Sequence, residues 1–96
     1  MTYLAKRARF SLGERVRWTS QAGGRSLIKE GEIVAVVPPH HGPPQNLQRR
    51  VDGGSPRPYE SYIVYVPMPA GKSHRVFYWP RVNLLRLLLT GEEIAR

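Results

Sequence analysis

Ninety-six residues carry 15 Lys+Arg against 7 Asp+Glu, a net charge of +8, and no cysteine. That length holds one domain around one small core, and a chain without thiols excludes disulfides and thiolate metal sites. The 41% apolar content suits a folded rather than a disordered chain, and no stretch reaches the roughly 20 apolar residues of a membrane-spanning helix.

Residues 1–10 carry Lys6, Arg7 and Arg9 and lack the apolar core of a signal peptide. They read as a basic N-terminal arm, with a short uncapped helix as the other option, and a cytoplasmic protein is the expectation. In 14–20, Val16 and Trp18 fall on one face while Arg15, Arg17 and Thr19 fall on the other. That alternation predicts a half-buried strand with two arginines facing out. Residues 20–31 form a polar connection, with Ala22-Gly23-Gly24 tolerant of positive φ and with Arg25 and Lys29 along it. In 32–37, Ile33, Val34, Val36 and Val37 put apolar groups on both faces. Such a strand is usually covered on both sides.

Residues 38–58 hold six of the nine prolines together with Gly42, Gly53 and Gly54. Proline this dense blocks ladders and helices, so a long loop is predicted between the second and third strands, partly extended or disordered. It carries Arg49, Arg50 and Arg57. Pro43-Pro44 and Pro56-Arg57-Pro58 read either as a recognition segment or as flexible linker.

A third strand follows at 60–66, with Tyr62, Val64 and Val66 on one face and Ser61, Ile63 and Tyr65 on the other. Residues 67–73, containing Gly71-Lys72, make a hairpin-type connection. Arg75, Val76, Phe77, Tyr78 and Trp79 form a fourth strand, which Pro80 ends by removing a ladder donor. Residues 80–83 make a tight turn, and 84–89 read as a strand or the start of a helix. Thr90-Gly91-Glu92-Glu93 has capping-box spacing, enough for one frayed turn. The prediction is an all-β fold, a small five-stranded barrel over 11–89 with the Pro-rich insert, an arm at 1–10 and a tail at 90–96.

The order of these signals resembles the small Src-homology-3-like and Tudor-like barrels of bacteria. The residues that carry the likeness are Phe10 and Leu12-Gly13-Glu14-Arg15-Val16-Arg17, Gly31-Glu32-Ile33-Val34, Tyr62-Ile63-Val64 and Tyr78-Trp79-Pro80-Arg81-Val82-Asn83-Leu84. The resemblance implies a last strand, a short 3₁₀ turn and a closing strand at the C-terminal end, which places 84–87 in a strand. The pattern is also distantly similar to the plasmid-borne type II dihydrofolate reductases, which share that barrel and assemble as tetramers. Those enzymes carry Val-Gln-Ile-Tyr before the proline and a lysine after Arg-Val-Arg. Here Val76-Phe77-Tyr78-Trp79 and Trp18 stand in those places, so the reductase activity is not carried over.

Net charge of this sign attracts polyanions, nucleic acid foremost. Arginine's planar fork suits phosphate, which makes Arg15, Arg17, Arg25, Arg49, Arg50, Arg57 and Arg75 candidate phosphate contacts. Trp18, Tyr65, Phe77, Tyr78 and Trp79 are candidates for base stacking or for an interface. The competing readings are solvated arginines without a common face, and aromatics that fill the core. A cage for methylated cations is a further reading of the aromatic set. The surplus of apolar groups outside a single barrel interior must be covered by the insert, the tail or a second copy, so a homodimer or larger assembly is expected. His40-His41 lies on the Pro-rich loop without nearby carboxylates and reads as solvated. His74 and Asp52 suggest no positioned nucleophile, and Gly23-Gly24 lacks the ending of a phosphate-cradling loop. No metal and no cofactor is expected. The chain is thus read as a non-enzymatic basic module that binds DNA or RNA through its phosphates. The alternatives are a protein-interaction or inhibitor module anchored by Tyr65, Phe77 and Trp79, and an oligomeric enzyme of the reductase type.

Overall fold

The computed structural model of the chain describes residues 2–22, 24–48, 50–51, 54–67 and 76–90. Six strands and one short 3₁₀ turn make up the fold: β1 (Thr2–Lys6), β2 (Arg15–Ala22), β3 (Arg25–Val37), β4 (Ser61–Val66), β5 (Val76–Tyr78), the turn Val82–Leu84 and β6 (Arg86–Thr90). They form a single antiparallel sheet in the order β1-β6-β2-β3-β4-β5. Its edge strands, β1 and β5, are not paired with each other among the described residues.

Three expectations change. The N-terminal arm contains a strand, so the sheet has six strands and not five. β6 explains it: Leu87, Leu88 and Leu89 present apolar groups to both faces, and β1 pairs with them through Ala5, Leu4 and Tyr3. The connection expected over 20–31 is instead largely hairpin, because β3 begins at Arg25, facing Ala22, with Gly24 at φ +80°. The third change is the insert. Its described residues turn at 45–48, and Val51 forms a parallel bridge to Phe77. The single turn expected over 90–96 and the connection expected over 67–73 lie, from 91 and from 68 on, outside the described residues.

β3 belongs to two ladders in succession. Residues 25–32 pair with β2, and 32–37 pair with β4. Gly31 sits at the handover, and a Cβ there would overlap the Tyr65 carbonyl oxygen and the Val64 side chain. Only glycine lets the two backbones approach this closely. Three residues on, the register shifts between Ile33 and Ala35. A bulge inserts one unpaired residue and reverses which face the later side chains take. Ile33 therefore lies with Val64 in one cluster, whereas Ala35 lies with Ile63 in the other.

Two clusters result, one on each face. The larger gathers Phe10, Val16, Trp18, Ile33, Tyr62, Val64, Leu85 and Leu87. The smaller joins Ala35, Val37, Ile63 and Trp79 to Leu47 and Val51 of the insert. The apolar surplus expected from the sequence is thus covered, at this place, by the Pro-rich segment itself. Gly31→Ala should cost about 1–3 kcal/mol, the range for overpacking a filled site. Urea unfolding measures it, and an unchanged midpoint would show that β3 and β4 do not approach as described.

Candidate functional site

Folding sorts the cations into those that are answered and those that are not. Because Ala22 faces Arg25, Arg17 falls opposite Glu30 and Arg15 opposite Glu32. Arg17 Nε donates to Glu30 Oε1 at 2.7 Å. Arg15 stands opposite Glu32 in the register without an ion pair among the described residues, so of the two outward arginines Arg17 is the paired one. Arg25 stands at the hairpin end, away from either carboxylate. Arg50 lies over the Phe77 ring at 5.5 Å. Arg49 and Arg75 lie outside the described residues.

Arg57 has an internal task. Its Nη1 donates to the Pro80 carbonyl at 2.7 Å, its Nη2 to the Trp79 carbonyl at 2.6 Å, and its guanidinium stacks over the Trp79 ring at 4.3 Å. Burial lowers its pKa below the ordinary value, while Tyr59 acts to raise it and Arg81 to lower it further. Arginine remains charged through such a shift. Arg57 thus ties the end of the insert to the β5–β6 connection, and its fork is not free for phosphate. Trp79 adds a second tie, donating from Nε1 to the buried Ser61 Oγ at 2.7 Å.

The aromatic candidates divide likewise. Trp18 and Trp79 are only 4% and 8% exposed and serve as core, with no open ring face for a base or a partner. Tyr65 and Phe77 pack on each other with centroids 5.4 Å apart. Tyr78 is half-buried, packs edge-on against Trp18 at 5.8 Å, and accepts a hydrogen bond on its hydroxyl from Lys29 Nζ at 3.0 Å. His41 Nδ1 donates to the Pro39 carbonyl at 2.9 Å.

The unanswered charge collects elsewhere. A cleft of about 1050 Å³ opens between residues 6–9, the two ends of the insert at Pro39 and Tyr59-Glu60, and the 3₁₀ turn with Arg81. Lys6, Arg7, Arg9 and Arg81 line it, with Glu60 as the one carboxylate. Arg7 is held by Glu14 at 2.9 Å. Lys6, Arg9 and Arg81 have no ion pair among the described residues. Lys6 also stands at the end of a cross-strand row with Arg86 and Arg17. Like charges placed opposite each other in a ladder repel, and an anion at the Lys6 end would relieve that.

A hydroxyl relay fixes the cleft wall. The Phe10 amide donates to the Tyr62 hydroxyl at 3.0 Å, and that hydroxyl donates to Glu60 Oε1 at 2.7 Å. Phe10 also packs edge-on against the Tyr62 ring at 5.4 Å. The stretch bearing Arg7 and Arg9 is thereby pinned to β4, and Glu60 is turned toward an internal donor. Sequence reasoning did not select Lys6, Arg9, Tyr59 or Arg81. Only the basic composition of residues 1–10 pointed toward two of them.

A second groove, of about 570 Å³, lies between β2, β5 and the 3₁₀ turn, and Arg81 lines both. No helix of the described residues is long and apolar enough to cross a membrane, and none of their His, Asp and Glu side chains form a group suited to a metal. Comparison of the chain with protein-family models, with curated proteins and with solved structures finds no match.

Two measurements test this arrangement. Arg57→Ala removes two charge-assisted hydrogen bonds and should cost about 1–3 kcal/mol. Arg57→Lys should recover only part of that, since an ammonium cannot span both carbonyls. Equal stability of all three chains in thermal unfolding would refute the tie. For the relay, burial pushes the Tyr62 phenol above its ordinary 10.0, offset in part by the Phe10 amide and reinforced by Glu60. The folded chain then keeps a proton that the unfolded chain releases, so this contribution is full below pH 10 and is lost as pH rises through the raised value. Tyr62→Phe should cost about 1–3 kcal/mol at neutral pH by stranding a buried amide, and should flatten the alkaline fall in melting temperature. A variant that falls as steeply as the parent would place that titration elsewhere.

Proposed function

We propose that this chain is a small, basic, non-enzymatic module that binds nucleic acid through its phosphates, with the cleft between residues 6–9, Tyr59 and Arg81 as the contact surface. The observation that carries this reading is the separation of charge. Arg17 is paired with Glu30 and Arg7 with Glu14, whereas Lys6, Arg9 and Arg81 share a concave surface and have no ion pair among the described residues. Phosphate contacts fix position and carry most of the affinity without reading sequence. Relative to the sequence expectation, the phosphate-binding role moves from Arg15, Arg17 and Arg57 to Arg9, Arg81 and Lys6.

The finer fold reading belongs with this proposal. A Src-homology-3-like barrel is supported by the 3₁₀ turn at Val82–Leu84 between β5 and β6, and by the pairing of β6 back onto β2. β1 is then an addition at the β6 edge. Of the anchors in the protein-interaction alternative, Trp79 is core, while Tyr65 and Phe77 pack on each other and stay half-buried. The surplus apolar face that suggested a second copy is covered in part by Leu47 and Val51.

Fluorescence anisotropy with a labelled oligonucleotide at two salt concentrations tests the reading. The logarithm of affinity should fall with that of salt, with a slope of roughly −0.7 to −0.9 per phosphate neutralised. Arg9→Ala and Arg81→Ala should each weaken binding and reduce that slope by about 1, while Arg15→Ala should change both less. Absence of binding at low salt, or binding indifferent to salt, would overturn it.

A further inference from the structure

The basic cleft has a lining residue in common with the second groove. Arg81 belongs to its wall and equally to the wall of the groove between β2, β5 and the 3₁₀ turn. Arg81 is the one lining residue the two cavities share. The first is cationic and carries one exposed aromatic, Tyr59, at 44% exposure. The second sets Tyr78, Pro80 and Leu84, the last 43% exposed, beside Thr19 and Arg57. Ser20 also lines it, and its buried Oγ has no hydrogen-bond partner among the described residues.

We infer that the occupant is single-stranded nucleic acid, running from the cleft past Arg81 into the groove, with a base stacked on Tyr59. This rests on the nucleic-acid reading above and narrows it. A duplex turns its bases inward and offers a protein mostly phosphate and groove edges. Such a rod is met by cations on an open face, and the open face of β2 has its arginines opposite glutamates. A single strand offers charge and flat apolar surface in alternation, which is what cations interleaved with aromatic groups along a concave path accept. An acidic peptide satisfies the cations and leaves Tyr59 and the apolar groove unused. Tyr59 is exposed and holds no core position, so its removal leaves the fold intact.

Competition anisotropy on the full chain tests this with three probes at one salt concentration: a single-stranded 12-mer, the same sequence as a duplex, and polyglutamate of similar charge. The single strand should bind at least about tenfold more tightly than the duplex. Tyr59→Ala should weaken single-strand binding by roughly 5- to 150-fold, the range for loss of one stacked base, and Arg81→Ala should weaken it as well. Equal or tighter binding of the duplex would overturn this inference and leave the broader nucleic-acid reading standing. So would an unchanged affinity in Tyr59→Ala. Polyglutamate competing as well as the single strand would replace the occupant with an acidic chain. Failure of both oligonucleotides to bind would overturn the inference together with the reading beneath it.

Discussion

β3 and β4 carry apolar side chains on both of their faces, and everything else in this molecule follows from having to cover both. Burial is worth roughly 25 cal/mol per Å² of apolar surface, so where β3 and β4 pair, over 32–37 and 61–65, most of their apolar side chains are covered on both faces, with Val36 exposed. One face is covered by Phe10, Val16, Trp18 and Leu87, which cluster with Tyr62 and Val64. The other cannot be closed by the same strands. The insert closes it with Leu47 and Val51, and the bulge after Ile33 directs Ala35 and Val37 toward them. A loop rich in proline suits this task, because it lies down with less loss of backbone freedom than a flexible segment.

Once the insert is laid down, its ends fix the cleft. Arg57 fastens one end to the carbonyls of Trp79 and Pro80, which places Tyr59 and Glu60 beside the 3₁₀ turn. Tyr62 fastens the N-terminal stretch at Phe10 to the same region. The cleft is the space left between these two fastenings. Its positive potential is a consequence of pairing elsewhere: each carboxylate used on the β2–β3 hairpin or in the Arg7–Glu14 pair is one that cannot answer Arg9, Arg81 or Lys6. Surface pairs of this kind add little stability, but they decide where uncompensated charge remains.

Much of the fold could be read from the residues. The alternation of Val16 and Trp18 with Arg15 and Arg17, and of Tyr62 and Val64 with Ile63 and Tyr65, follows the strand period and is found as read. The need for a cover over the second face was also legible. β1 was missed because a five-residue strand with little local pattern is made by its partner, the leucine run of β6, and not by its own propensity. The first half of β3 was missed because Leu27 and Ile28 project from the hairpin, exposed at 45% and 70%, and give no buried face to detect. The matching of Arg17 with Glu30 was within reach, since a tight turn near Gly24 fixes every pair along the hairpin. The cleft was not, because its walls come from four separated parts of the chain and only tertiary structure joins them.

In the proposed reading, the cations of the cleft, and not the arginines of β2, meet the ligand. Amide chemical-shift mapping of the ¹⁵N-labelled chain during titration with a single-stranded oligonucleotide addresses it directly. The largest shifts should fall at residues 6–9, 59–60 and 81–84. Shifts centred on 15–17 and 30–32, with the cleft unmoved, would contradict it.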